Sequence, residues 1–225
     1  MSAETVKEPR PSPARARVLE TAARLFYAEG VHSVGIDRII AAAGVAKATF
    51  YHHFPSKDEL VRAYIVEQGS MQRAMVDTLR ADSPRETLTA VFAFMCEFGS
   101  GPGYRGCPFV NTAAEYPDPA HPVRQAIAEH RRWHRDLYRD LLAADGHADA
   151  ERTADILLLV RDGLVVGFDL DDPATVRTTV QETLTRILPP DPPHPGTATT
   201  DAQRIRGQRR KPKPEVGRLE PGPGA

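Results

Sequence analysis

Cysteine is scarce: Cys96 and Cys107 are the only two in 225 residues, too few for a disulfide framework. No apolar run approaches the roughly 20 residues that a bilayer span needs. The densest stretch, Ile156 to Phe168, is broken by Arg161 and Asp162. No basic-then-apolar segment opens the chain as a secretory signal would. Alternating apolar and polar segments and Asn-Gly turns are missing, which argues against a β fold. These absences exclude a disulfide-stapled scaffold and a transmembrane helix, and lead us to expect a cytoplasmic protein with no membrane partner. Charge of one sign is also lacking. A net charge of -1 gives no whole-molecule attraction to a polyanion, so any such binding must be local.

The charge that is present is unevenly spread. Residues 1–65 carry a net +2, residues 66–188 a net -6 and residues 189–225 a net +3. Residues 189–225 hold nine of the 20 prolines and almost no large apolar side chains. Such a segment cannot bury enough surface to offset its ordering entropy, so it reads as a Pro-rich, basic, disordered tail. Its Arg204, Arg206, Arg209, Arg210, Lys211 and Lys213 could add salt-sensitive affinity for a polyanion. Residues 1–13, with Pro9, Pro11 and Pro13, read as a flexible arm.

Between these ends the apolar spacing is helical almost everywhere, which predicts an all-α fold of about nine helices. Val18, Leu19, Ala22, Leu25 and Phe26 form one stripe that stops at Gly30. Two short helices follow, Ile36 to Ala43 and Lys47 to His53, and their tight join at Gly44 predicts a helix-turn-helix. Ser56 is placed to cap a long helix reaching Arg80, and Ser83-Pro84-Arg85-Glu86 opens another that runs to Phe98. Further helices are expected over Pro108 to Glu115, from Pro122 to Ala144, from Ala148 to Leu170, and from Pro173 to Leu188.

Three elements of the stretch from Gly30 to Leu60 stand out: the turn Ala42-Ala43-Gly44-Val45, the run Lys47-x-Thr49-Phe50-Tyr51-x-His53-Phe54, and the helix start Ser56-Lys57-Asp58-Glu59-Leu60. Together they resemble the DNA-binding domain of the TetR/AcrR-type transcriptional regulators. The resemblance spans residues 14–65 and implies a DNA-binding domain there, followed by a helical effector-binding and dimerisation domain over 66–188. A helix laid in the major groove needs polar, exposed side chains, and Lys47, Thr49, Tyr51 and His52 supply them. By resemblance these four meet bases or phosphates, and Lys57 grips a phosphate beside the next helix start. Phe50 and Phe54 read as packing. Where the family usually has Thr-Ser this chain has Val34-Gly35, and Ala46 replaces a common Ser. The phosphate contact at that end then falls to backbone amides or to Arg38.

The acidic middle would repel phosphates, which leaves ligand sensing and dimerisation as its tasks. Phe92, Met95, Cys96, Phe109, Tyr116 and Trp133 suit an apolar pocket wall, with Asn111, His130 and His134 as polar anchors; the same residue types also build ordinary cores. His130 and His134 stand at i and i+4, but Arg131, Arg132 and Arg135 surround them with positive charge. A small helical enzyme or metal protein would have to use Cys107, His130 and His134, and no local signature supports it. We therefore expect no catalytic residue, no metal and no cofactor. The segment from Ile156 to Phe168 is apolar nearly all round, so it predicts burial on two sides. Ile156, Leu157, Leu159, Val160, Leu164 and Phe168 are its expected dimer contacts. Val176, Val180, Leu184 and Ile187 form the matching stripe on the last helix. The expected protein is a homodimer on a palindromic double-stranded operator, a repressor released by a small apolar effector. Activation or partner recruitment would use the same residues.

Overall fold

Proline and capping side chains set most of the helix boundaries. In the computed structural model, which describes residues 12–188, these signals give α1 (Pro13–Glu29), α2 (Ile36–Ala43), α3 (Lys47–His53), α4 (Lys57–Thr78), α5 (Pro84–Gly99), α6 (Pro108–Glu115), α7 (Pro122–Ala144), α8 (Ala150–Leu170) and α9 (Pro173–Ile187). There is no strand among the described residues. Proline opens α1, α5, α6, α7 and α9, where its missing N–H is no loss. Ser56, Ser83, Asp149 and Asp172 each accept from the backbone N–H three residues on. Gly44 closes α2 at φ 61°, the left-handed geometry that lets α3 leave at a sharp angle.

The first four helices share an apolar centre. Val18, Ala22 and Phe26 of α1 meet Ile39 of α2, Phe50 of α3 and Leu60, Val61 and Tyr64 of α4. The two phenylalanines read as packing are indeed buried, Phe50 wholly and Phe54 nearly so. In the body, α7 lies against α4, α5, α6 and α8. Phe92 of α5 stacks on Tyr138 of α7 at 5.5 Å, and both are fully buried. At Gly99 a side chain would meet the Phe168 ring at 2.6 Å, so only glycine lets α5 approach α8 there.

Several expectations need correction. α4 stops at Thr78 rather than Arg80, because Leu79 already leaves helical geometry at φ -92°, ψ 0°. α8 begins at Ala150, not Ala148, because Asp149 takes the cap. The boundary drawn at residue 65 falls inside α4, so the two functional halves share one continuous helix. The expected dimer contacts Leu157, Leu164, Phe168, Val180 and Leu184 are buried within the protomer's own core and leave a partner little surface. Residues 1–11 of the arm and the whole tail from 189 to 225, with its arginines and lysines, lie outside the described residues.

Candidate nucleic-acid interface and ligand cavity

The exposed side of α3 carries Lys47, Ala48, Tyr51 and His52, with Thr49 half-buried at its edge. Tyr51 packs edge-on against Phe50 at 5.3 Å, so a buried ring sets its direction. His53 is half-buried and shares a 3.2 Å hydrogen bond with Ser12, tying the start of α1 to the end of α3. Gly35 and Ala46 cap α2 and α3 without a side-chain hydrogen bond. The hydroxyls missing from the sequence thus leave the first amides of α2 free to meet a phosphate. Val34 is fully buried, so no contact can come from it.

The basic residues around this surface are held by carboxylates. Arg38 forks onto Glu29, with one hydrogen bond at 2.7 Å, and that carboxylate raises the guanidinium pKa. Lys47 Nζ lies 3.2 Å from Asp37 Oδ1, with both side chains largely exposed. Such exposed pairs are weak and exchange readily for phosphate. Lys57 is only half-exposed; burial lowers its pKa, opposed by Glu115 and Asp58. Its ammonium therefore also belongs to the joint between α4 and the body.

That joint was not foreseen from the sequence. Glu115, the last residue of α6, accepts from the backbone amides of Val31 at 2.7 Å and His32 at 2.5 Å, just past the end of α1. Tyr116 donates to Asp58 at 2.9 Å, and His121 stands 3.4 Å from the same carboxylate. On the other side of α1, Tyr27 donates to the Gly106 carbonyl and accepts from the Arg105 amide. The end of α6 and the loop that precedes it are thus both fastened to α1 and the turn that follows it.

Beneath α6 lies a cavity of about 310 Å³ between α6, α7 and α8. Of the nine pocket residues expected, Phe109, His130 and His134 line it. Ala113, Ile127 and Leu158 complete its apolar wall, and Arg124, Arg131 and Arg161 its polar one. The others stand elsewhere. Phe92 and Cys96 are core residues, and Met95 is packed against that core. Asn111 is exposed and donates to the Arg105 carbonyl, and Tyr116 serves the joint. Trp133 packs against His130 and His134 but lines a different opening, of about 480 Å³, between the α4–α5 turn, α5 and α7, among Asp82, Asp136 and Asp140. Arg161 could have been noticed: it is a charge in the middle of an apolar helix, a costly position unless something answers it.

His130 stacks on Phe109 at 3.8 Å and shares a 3.0 Å hydrogen bond with Gln72. Burial, then the charges of Arg161 and Arg73, push its pKa down to about 3. His134 is driven well below the usual imidazole range by burial and by Arg161 and His130. Both are neutral imidazoles at physiological pH. Among the described residues no group of three or more His, Cys, Asp or Glu side chains is placed to hold a metal ion. No helix among them is long and apolar enough to cross a membrane.

A helix-turn-helix with an exposed polar face on its second member, joined to a larger helical body, defines a sequence-reading DNA-binding protein. Comparison with known proteins makes the class specific. Residues 18–64 match the family model for bacterial regulatory proteins of the tetR family, and residues 84–176 match the Tetracyclin repressor-like C-terminal domain. A TetR-family transcriptional regulator of Streptomyces coelicolor is 43% identical, with a TM-score of 0.74 over 77% of this chain and 93% of that one. A second such regulator, from Streptomyces avermitilis, is 32% identical, with a TM-score of 0.70 over 79% of this chain and 97% of that one. The transcriptional regulator LmrA of Bacillus subtilis is 27% identical over 140 residues, 60% of this chain and 74% of that protein. The chain belongs to the TetR family of DNA-binding transcriptional regulators, whose members dimerise.

The two buried histidines make stability depend on pH. Their folded pKa values are lowered, so between about pH 6.5 and pH 3 the unfolded chain binds more protons than the folded one. Their contribution is complete above about pH 6.5 and is lost as the pH falls. From pH 7 to pH 5 we expect a loss of about 2 kcal/mol from His130 alone, read as a falling urea midpoint. His130→Phe should flatten that slope; an unchanged slope would show that the imidazole is not held neutral.

Proposed function

We propose that the protein is a homodimeric, cytoplasmic repressor that binds a palindromic operator and leaves it when a small molecule enters the cavity between α6, α7 and α8. The observation that carries this reading is the double use of α6. Its Phe109 and Ala113 wall the cavity, while its last residue, Glu115, holds the end of α1. A ligand that presses on this helix therefore acts on the helix-turn-helix through two charge-assisted hydrogen bonds. The extent of release is set by the ligand's differential affinity for the DNA-competent and spread dimers.

The partner face for dimerisation is narrower than the sequence reading assumed. Ile156, Leu159, Val166 and Leu170 on α8 are 40%, 67%, 45% and 74% exposed, with Gly163 between them. Their spacing of three and four residues makes one apolar stripe, the pattern that packs against a second helix. Val160, Val176 and Ile187 are half-buried beside the protomer core. A second copy packed on this stripe would place two recognition helices about one DNA turn, ~34–36 Å, or a multiple of it apart.

Retention of fragmented source DNA at physiological salt, followed by sequencing, should enrich one palindrome. On that palindrome Lys47→Ala should lower affinity about tenfold and reduce the salt slope by about one, and Tyr51→Ala should weaken binding comparably. Wild-type binding by both variants would remove α3 from the interface. For the dimer, Leu159→Arg should sediment as a monomer at micromolar concentration while staying helical. A dimer that survives this substitution would place the interface elsewhere.

A further inference from the structure

The chemistry of the cavity specifies its ligand more narrowly than an apolar effector. On the reading of this cavity as the effector site, we propose that the ligand is a small amphipathic monocarboxylate, its apolar body against Phe109, Ile127 and Leu158 and its carboxylate on Arg161. Three observations support this. First, the described lining holds three arginines and two histidines and no carboxylate. Arg124 directs its guanidinium at uncharged acceptors, the carbonyls of Tyr116 at 2.7 Å and Ala113 at 3.5 Å. Asp162, beside the cavity, serves Arg131 at 2.6 Å and Arg161 at 3.1 Å, so one carboxylate answers two cations.

Second, Arg161 is buried, with a side chain only 7% exposed, and its remaining polar contact is a long 3.7 Å one to the Cys107 sulfur. Its Nε has no hydrogen-bond partner among the described residues. His134 Nδ1, also on a lining residue, and the neighbouring Tyr138 hydroxyl are orphaned in the same way. Buried polar atoms of this kind are costly to leave unmet, and a guanidinium N–H with a hydroxyl beside it is matched by the two oxygens of a carboxylate. Third, the electrostatics agree. Burial first and the positive field of Arg161 second lower both histidine pKa values, and that field would be relieved by an anion and not by an uncharged ligand.

The rest of the cavity is apolar and small, about 310 Å³ with Val110, Ala113 and Pro119 at its rim, which suits a body of one or two rings or a short acyl chain.

The test is calorimetric titration of the full-length protein with benzoate, 3-phenylpropionate and 2-naphthoate, each paired with its uncharged amide. At least one acid should bind about tenfold or more tightly than its amide, and Arg161→Met should abolish that preference while Arg161→Lys keeps part of it. Equal affinity of acid and amide, or no binding by any of the acids, overturns the inference, and this comparison in the wild type needs no variant to fold. Thermal melts of the two variants guard against a merely structural effect: Arg161→Met with wild-type stability and no acid preference supports a ligand-binding role. The underlying effector reading is judged separately, on the selected operator. An acid that binds through Arg161 without releasing DNA would leave the ligand class standing and remove its role as effector.

Discussion

The arrangement depends on one carboxylate. Glu115 stands at the C-terminal end of α6, where a negative charge opposes the helix dipole and costs about 0.3–1 kcal/mol. It faces the end of α1, whose dipole is negative as well. What outweighs this is the pair of amides, Val31 and His32, that have left α1 and have no partner in that helix. Charge-assisted hydrogen bonds from two backbone amides, with the Lys57 ammonium nearby, hold the carboxylate there. Remove that side chain and the end of α6 keeps the Tyr116 contact to α4, while the loop before α6 keeps its Tyr27 hydrogen bonds.

The same helix makes the cavity matter. α6 is eight residues long, with Phe109 and Thr112 its buried members, so little but its neighbours fixes its position. Its start carries Cys107 against Arg161 and its end carries Glu115 against α1. A guanidinium with an unmet Nε therefore lies at the start of this element, and the DNA-reading domain is tied to its end by Glu115 and to the loop before its start by Tyr27. On the proposed reading, a ligand that completes the Arg161 shell would change what α6 packs on and would act on the element that joins the cavity to the DNA-reading domain.

How much of this was legible in the sequence differs by residue for physical reasons. Periodicity and caps located nearly every helix because Ser56, Ser83, Pro108 and Pro173 act locally on backbone groups a few residues away. The helix-turn-helix and the exposed face of α3 were legible because Gly44 and the run from Lys47 to Phe54 sit within one short motif. The joint was not, since Glu115 meets amides more than 80 residues earlier and nothing in its surroundings marks it. Of the pocket list only Phe109, His130 and His134 line this cavity, for a related reason. Phe92, Cys96 and Phe109 look alike as apolar helical positions, and only the packing of α6 on α7 and α8 separates wall from core. The all-round apolarity of α8 divides in the same way: Leu157 and Leu164 pack into the protomer, while Leu159 and Leu170 stand exposed.

The central claim, that Glu115 holds the helix-turn-helix in register with the body, is tested most directly by the DNA affinity of Glu115→Ala on the full palindrome and on a single half-site. The account predicts a loss of about tenfold on the palindrome with little change on the half-site, because the contacts of α3 remain while the fixed spacing of the two reading heads is lost. Equal affinity of variant and wild type on both DNAs, in a protein that still folds, would contradict it.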